Sequence, residues 1–141
     1  MALENEKYVL DLCDEVLGQP ARRQHRFDGL LGDPSPKTGR QVKLPVDAYW
    51  PDLKLIVEFY ERQHSESVKH FDKPDVMTVS GVHRGIQRAI YDQRRFDYAK
   101  EHGLTVIAIE MKEFTVVKKK IVPNDTSDIK IVKKHLAAFL K

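Results

Sequence analysis

Two apolar stretches of this chain each contain one acidic residue, and a short turn separates them. The stretches are VKLPVDAYW (42–50) and LKLIVEFY (53–60), with Asp47 in the first and Glu58 in the second. Both have the β-branched and aromatic composition of buried strands, and Pro51-Asp52 is a turn signal. Removing a carboxylate from water costs several kcal/mol unless its charge is compensated. Any fold of this chain therefore has to accommodate two strands together with their two acids.

The pairing of these strands determines where the acids meet. With a turn centred on Asp52 and Leu53, an antiparallel hairpin places Asp47 directly opposite Glu58, with Cβ atoms roughly 4.5–5.5 Å apart. Two like charges so close are unfavourable, and one acid would have to take up a proton. A divalent cation removes the conflict, and carboxylate oxygens suit Mg²⁺. The alternative is a structural ion pair, in which a core arginine neutralises one of the acids.

The remaining pattern alternates between helical and extended segments. The chain is predicted to contain a helix over 4–17, an extended segment over 21–31, a loop over 32–40, the two strands, about twenty irregular residues, a helix over 85–102 ending before Gly103, a strand over 104–110, a loop over 122–128 with Asp125, Thr126 or Ser127 as a helix cap, and a final amphipathic helix over 129–141. This order predicts one domain over residues 1–141, of class α/β. We expect a three-layer α/β/α arrangement, with a mixed central sheet flanked by helices.

Composition limits the classes of function. A net charge of +3 permits a nucleic-acid partner but does not require one. No run of 18 apolar residues exists, so a membrane-spanning helix is not expected. The N-terminal residues are acidic and lack the pattern of a signal peptide, so we expect a cytoplasmic protein. The single Cys13 can form neither an internal disulfide nor a cysteine zinc site.

Four blocks of the sequence, taken in order, resemble a known superfamily. They are ARRQH (21–25), VDAYWPDLKLIVEF (46–59), Gln63-His64 and YDQRRFDYAKEHGLTVIAIE (91–110). With Pro45 before Asp47, they resemble the PD-(D/E)XK nuclease superfamily, in particular a bacterial branch related to the very-short-patch repair endonucleases. The resemblance spans about residues 9–110. It implies a restriction-endonuclease-like fold and an endonuclease that acts on DNA with Mg²⁺ or Mn²⁺.

The resemblance also implies roles for individual residues. Asp47 and Glu58 would hold the metal ion, and Glu15 on the N-terminal helix would take part through water. Gln63 and His64 would orient groups or relay protons at the site.

One position departs from the superfamily pattern. The superfamily has a lysine two residues after the Glu, whereas this chain has Tyr60. A phenol with a pKa of roughly 10 is a poor general base at pH 7. Gln63, His64 and Lys43 are the candidate substitutes, and His64 is favoured because an imidazole transfers protons near neutrality.

Basic residues form two further patterns. On the predicted helix 85–102 and at its start, a sector of about 60° holds Arg84, Arg88, Tyr91 and Arg95. Ile86, Ala89, Ile90 and Phe96 lie opposite and are expected to pack on the sheet. The arginine face suits phosphate binding, with a solvated face as the alternative, and the resemblance assigns Tyr91 and Arg95 to the active-site side. The six lysines within 118–134 suit an amphipathic cover or an auxiliary DNA contact.

Two functions stay open from the sequence. The first is a metal-dependent DNA endonuclease of the repair, restriction or junction-nicking type. The second is a DNA-binding module that kept the fold and lost the catalytic activity. The presence of Tyr60 at the position of the superfamily's lysine is the reason for considering it. A structural partner without DNA affinity is a remoter third reading. Double-strand cutting usually needs two active sites, so a homodimer would accompany that activity.

Overall fold

The computed structural model describes residues 2–61 and 84–140, so Gln63 and His64 lie outside the described residues. The described elements, in order, are α1 (Ala2–Leu17), β1 (Arg22–Leu31), β2 (Lys43–Trp50), β3 (Leu55–Tyr60), α2 (Arg84–Glu101), β4 (Thr105–Glu110), β5 (Val116–Val117), β6 (Lys120–Ile121) and α3 (Asp125–His135). Within them, no helix is long and apolar enough to cross a membrane.

The main sheet has four strands in the order β1-β2-β3-β4. β1 pairs with β2 and β2 with β3 in antiparallel fashion, while β3 and β4 are parallel neighbours. A parallel pair needs a crossover connection, and α2 lies in the chain between these two strands. The predicted α/β class with a mixed sheet is confirmed.

Helices cover both faces of this sheet. On one face, residues of α1 and α3 pack with Trp50, Val57 and Phe59 of the sheet. On the other face, Ala99 of α2 forms the core with residues from β1, β2 and β3, and Tyr91 and Tyr98 pack against this core. The sequence predicted these layers from the order of its helices and strands along the chain.

Several predicted boundaries are confirmed and one cap is corrected. Gly103 follows α2 with a φ of +71°, as expected for a residue that ends a helix. The cap of α3 was predicted among residues 125–127, but the side chain of Asn124 accepts the hydrogen bond from the Ser127 amide. The helix therefore begins at Asp125 and ends at His135, earlier at both ends than predicted.

A buried acid ties α1 to α3. Asp128 is 2% exposed and accepts hydrogen bonds from the Tyr8 hydroxyl at 2.5 Å and the Asn124 amide at 2.9 Å. Asp128→Ala removes the acceptor of both donors and is expected to lower the free energy of unfolding by about 2–3 kcal/mol. Urea unfolding measures this change, with Asp125→Ala in the same helical turn as the exposed control. Equal losses in the two variants would contradict a structural role for Asp128.

Candidate active site

The strands β2 and β3 form a fork at the two predicted acids. Their pairing runs from Trp50–Leu55 to Ala48–Val57, which confirms the predicted register. Asp47 and Glu58 are the next residues along the two strands, and here the regular ladder ends. The two acids therefore lie opposite each other at the point where the strands separate.

Side chains replace the backbone ladder at this fork. The amide of Asp47 donates to Glu58 Oε2 at 2.7 Å, and the amide of Phe59 donates to Asp47 Oδ2 at 2.7 Å. Each carboxylate is thus oriented by an amide of the opposite strand. Because a buried amide needs an acceptor, the acids also compensate for the interrupted pairing.

The third strand is distorted at the same level. β1 pairs Arg23 with Ala48 and His25 with Val46, so Gln24 lies opposite Asp47. Gln24 has a φ of +49°, which is rarely adopted by residues other than glycine. The side-chain nitrogen Nε2 of Gln24 donates to Asp47 Oδ1 at 3.4 Å and to Glu6 Oε2 at 2.9 Å. The side chain therefore links Asp47 to helix α1.

The acid that α1 brings to the site is Glu6. Its carboxyl group lies close enough to that of Asp47 to raise its own pKa through repulsion from the Asp47 charge. Glu15, the residue expected from the resemblance, is exposed and is not brought to the pair. Nine residues of α-helix turn the side chain to the opposite side and move it by about 14 Å. The sequence did carry a signal, because Asn5 and Glu6 are polar residues at the start of the buried stripe that continues at Val9.

One arginine faces these acids. Arg95 Nε lies 3.5 Å from Glu58 Oε1 and donates to the Pro45 carbonyl at 2.9 Å, while Nη1 donates to Asp92 at 3.0 Å. Glu58 and Asp92 are both buried. The ion pair considered as the alternative to a metal site is therefore present together with the facing carboxylates. The acids Glu6, Asp47, Glu58 and Asp92 outnumber the arginine.

This excess of acid favours protonated carboxyl groups when no cation is bound. Burial raises the pKa of Glu58 to about 8, with repulsion from Asp47 adding to it and Arg95 opposing it. Burial and then Asp47 raise the pKa of Glu6 to about 7. Burial also raises the pKa of Asp47, against the opposing effect of the Phe59 amide. A bound cation would displace protons from this group of acids.

The oxygen donors at the fork determine which metal ion it can hold. Within residues 2–61 and 84–140, no three Asp, Glu, His or Cys side chains are grouped so that they could hold a metal ion. Mg²⁺, however, commonly binds through one or two carboxylates, with water and substrate phosphate completing its shell. Asp47 and Glu58 offer hard oxygen donors, each oriented by a backbone amide. The two residues therefore fit a Mg²⁺ or Mn²⁺ ion held in this open manner.

The candidate bases have different environments. Burial, and then the nearby Asp92 and Glu58, raise the pKa of Tyr60 far above its ordinary value, so its phenol stays neutral. Lys43 forms a salt bridge with Asp28 at 2.7 Å, away from the pair. Gln63 and His64, the remaining candidates, belong to the part of the chain that is not described.

The arginine-bearing face of helix α2 was predicted to point away from the sheet. In the structure, this face packs on the sheet instead. Tyr91 is half-buried against the core of this face, its hydroxyl accepts from the Asp33 amide at 2.8 Å, and the Arg94 guanidinium lies 5.2 Å from its ring. Ile90, predicted to pack on the sheet, is 36% exposed. The predicted orientation was wrong because tyrosines and an ion-paired arginine form the packed side. Arg88 is half-buried, and Arg84 begins the helix.

Among the described residues, two cavities are lined by α2 together with β1 or the loop that follows it. One, of about 480 Å³, is lined by residues of β1 and the second half of α2, including Tyr98. The other, of about 560 Å³, lies between the loop after β1 and the first half of α2, including Tyr91. Neither is lined by Asp47 or Glu58, so the fork is the feature that concentrates reactive groups.

The chain matches no family model, no curated protein and no solved structure at a significant level. The superfamily resemblance therefore stays an expectation from the sequence motifs.

Proposed function

We propose that this chain is a metal-dependent DNA endonuclease with a restriction-endonuclease-like fold. The observation that carries the proposal is the fork, where two buried carboxylates on neighbouring strands face each other and are oriented by backbone amides. Hydrophobic strands rarely bury such acids without a use for their charge. The mixed sheet between helices is compatible with this fold.

In this proposal Asp47 and Glu58 hold a Mg²⁺ or Mn²⁺ ion. Such an ion, when bound, polarises a phosphoryl oxygen and lowers the pKa of a coordinated water. The amides of Asp47 and Phe59 keep the two carboxylates from rotating, which fixes the donor oxygens before the substrate arrives. Glu6 and Gln24 support Asp47 from the side of α1.

Arg95 is the proposed phosphate contact beside these acids. Its Nε and Nη1 are held by Glu58, Pro45 and Asp92, and its Nη2 makes no hydrogen bond within the described part of the chain. A guanidinium fixed on one side can offer the other to a phosphate oxygen. Proton transfer is assigned to His64, with Gln63 orienting the attacking water, because the Tyr60 phenol cannot accept a proton at neutral pH.

Cleavage assays test the proposal. Supercoiled plasmid and branched DNA are incubated with the protein and Mg²⁺, Mn²⁺ or EDTA, and products are resolved on gels. Metal-dependent nicks or breaks are expected, and none with EDTA. Linear products at early times, together with a dimer in sedimentation, would indicate paired active sites. Failure to cut any of these DNAs with either ion would contradict the proposed activity.

A second function, a DNA-binding module without catalysis, is favoured by two observations. Tyr60 replaces the lysine of the superfamily pattern, and Arg95 already neutralises part of the charge of Glu58. This reading predicts salt-dependent DNA binding without cleavage under any divalent ion. Arg88→Ala should weaken that binding, whereas Arg95→Ala would also remove a partner of buried acids and is a poorer test.

Two glutamates of α1, Glu6 and Glu15, give a matched pair of variants. Glu6→Gln keeps the shape of the side chain next to Asp47 but removes its charge, and is expected to lower the initial nicking rate by about 10–100-fold. Glu15→Gln makes the same change on the opposite side of the helix and should leave the rate unchanged. Equal rates for the two variants would show that Glu6 does not support the site.

A further inference from the structure

The hairpin between β5 and β6 has an unusual turn. Val117 pairs with Lys120, so Lys118 and Lys119 are the two central residues, with φ values of +51° and +65°. Positive φ at both central positions defines a type I′ turn, in which Asn-Gly is strongly preferred. Two lysines carry a steric penalty there that Asn-Gly would avoid. The backbone alone therefore gives no reason for this pair of residues.

A buried asparagine attaches the turn to helix α1, one residue before Glu6. Asn5 is 5% exposed, donates to the Lys119 carbonyl at 3.0 Å and accepts from the Ile121 amide at 3.1 Å. Its side chain also lies 3.5 Å from Glu61 Oε1, directly after β3. The next residue of α1 is Glu6, which contacts Gln24 and Asp47. The turn is thus attached to the same end of α1 that supports the acids.

The lysines of this turn are available for a partner. Lys118 and Lys119 are exposed and form no salt bridge within residues 2–61 and 84–140. Lys120 lies 3.8 Å from Glu4, and both of these side chains are mostly exposed, so this pair is weak. Among the described residues, the end of the hairpin therefore carries two positive charges outside any salt bridge, on a turn that Asn5 holds through two hydrogen bonds.

We propose that Lys118 and Lys119 bind the phosphate backbone of duplex DNA beside the bond that is cut. The inference rests on the proposed function and adds a second contact region to it. Two ammonium groups at the tip of a fixed turn bind phosphates through charge, without reading base sequence. A functional need for these charges explains why the turn keeps lysines where Asn-Gly would be less strained.

The test compares two double variants with a matched control. Lys118→Asn with Lys119→Gly removes both charges and supplies the preferred turn residues, while Lys118→Gln with Lys119→Gln removes the charges only. Lys54→Gln with Lys100→Gln removes two exposed lysines, one from the turn between β2 and β3 and one from α2, as the control. Binding to a fluorescein-labelled duplex is measured by anisotropy in EDTA over a range of NaCl concentrations, and melting temperature is measured in parallel.

Both turn variants are expected to weaken binding by about tenfold or more and to reduce the slope of log K against log salt by about 1.8. The Asn-Gly variant should also melt a few degrees higher than the parent, so lost binding cannot be attributed to unfolding. The control should bind as the parent does. Duplex binding unchanged in both turn variants would overturn this inference and leave the endonuclease proposal standing. A parent protein that does not bind duplex DNA at low salt would overturn both.

Discussion

Replacing Asp47 with asparagine is expected to lower the rate of DNA cleavage by about 1,000-fold or more while leaving the fold intact. Asparagine keeps an oxygen that can accept from the Phe59 amide, so the fork retains its geometry. It removes the negative charge on which metal binding depends, and metal catalysis supplies several kcal/mol of transition-state stabilisation. Affinity for DNA without metal should be unchanged or higher, because one repulsive charge is gone.

Asp52→Asn provides the control for this variant. Asp52 is exposed in the turn of the same β2–β3 hairpin, so the chemical change is identical and only the location differs. Initial rates of plasmid nicking with Mg²⁺, together with circular dichroism and DNA binding in EDTA, measure the effects. Cleavage that survives Asp47→Asn at the parent rate would rule out Asp47 as a metal ligand.

Replacing Glu58 with glutamine is expected to leave the metal-free protein at least as stable as the parent at pH 8. The amide oxygen of glutamine can still accept from the Asp47 amide, and repulsion between the two carboxylates disappears. Arg95 is not left unpaired, because Asp92 and the Pro45 carbonyl remain bound to it. If neutralising Arg95 were the main role of Glu58, the loss would instead cost about 3–5 kcal/mol.

The pH dependence of stability has a definite sign at this residue. The pKa of Glu58 rises from 4.5 to about 8 in the folded protein, mainly through burial. Between these values the native state keeps a proton that the unfolded state releases, so stability falls by about 1.4 kcal/mol per pH unit. The contribution is complete below pH 4.5 and is lost as the pH passes 8. Glu58→Gln should flatten this part of the stability curve.

Thermal unfolding in EDTA and in MgCl₂ measures both effects of Glu58→Gln. Mg²⁺ should raise the melting temperature of the parent, since a ligand of the native state stabilises it by mass action, and this gain should be lost in the variant. Glu101→Gln on the exposed side of α2 is the control and should keep the gain. If Glu58→Gln were strongly destabilised and Mg²⁺ did not change the melting temperature of the parent, Glu58 would serve only as the structural partner of Arg95.

The register of the two acids could be predicted because few variables determine it. A hairpin with a short turn fixes which residues face each other, and a shift by one residue would move every side chain to the other face. Asp47 and Glu58 follow from that constraint and from the apolar strands around them. The mixed sheet could be predicted in the same way, from the order and periodicity of its elements.

Other parts of the site depend on how separate helices and strands pack against each other. The periodicity of apolar residues within each element does not reveal that packing. Glu6 reaches Asp47 only because of where α1 lies on the sheet. The predicted orientation of α2 was wrong because it was based on the aliphatic residues alone, which placed the aliphatic side of the helix on the core. Tyr91 instead packs its half-buried ring against the core and uses its hydroxyl as an acceptor, and Arg95 forms an ion pair with Asp92. Polar side chains that find hydrogen-bond or ion-pair partners can form a packed face as well as aliphatic ones.

The fork also divides the sheet into two parts that can open separately. Beyond Ala48–Val57, the described part of the β1–β2 hairpin pairs only with itself, from His25–Val46 to Leu31–Lys43. Its amides can therefore exchange with solvent through a local opening that leaves β3 and β4 paired. Any ligand that joins Asp47 to Glu58 spans the boundary and couples the two parts. Occupancy of the site would thus slow hydrogen exchange along the hairpin, well away from the acids themselves.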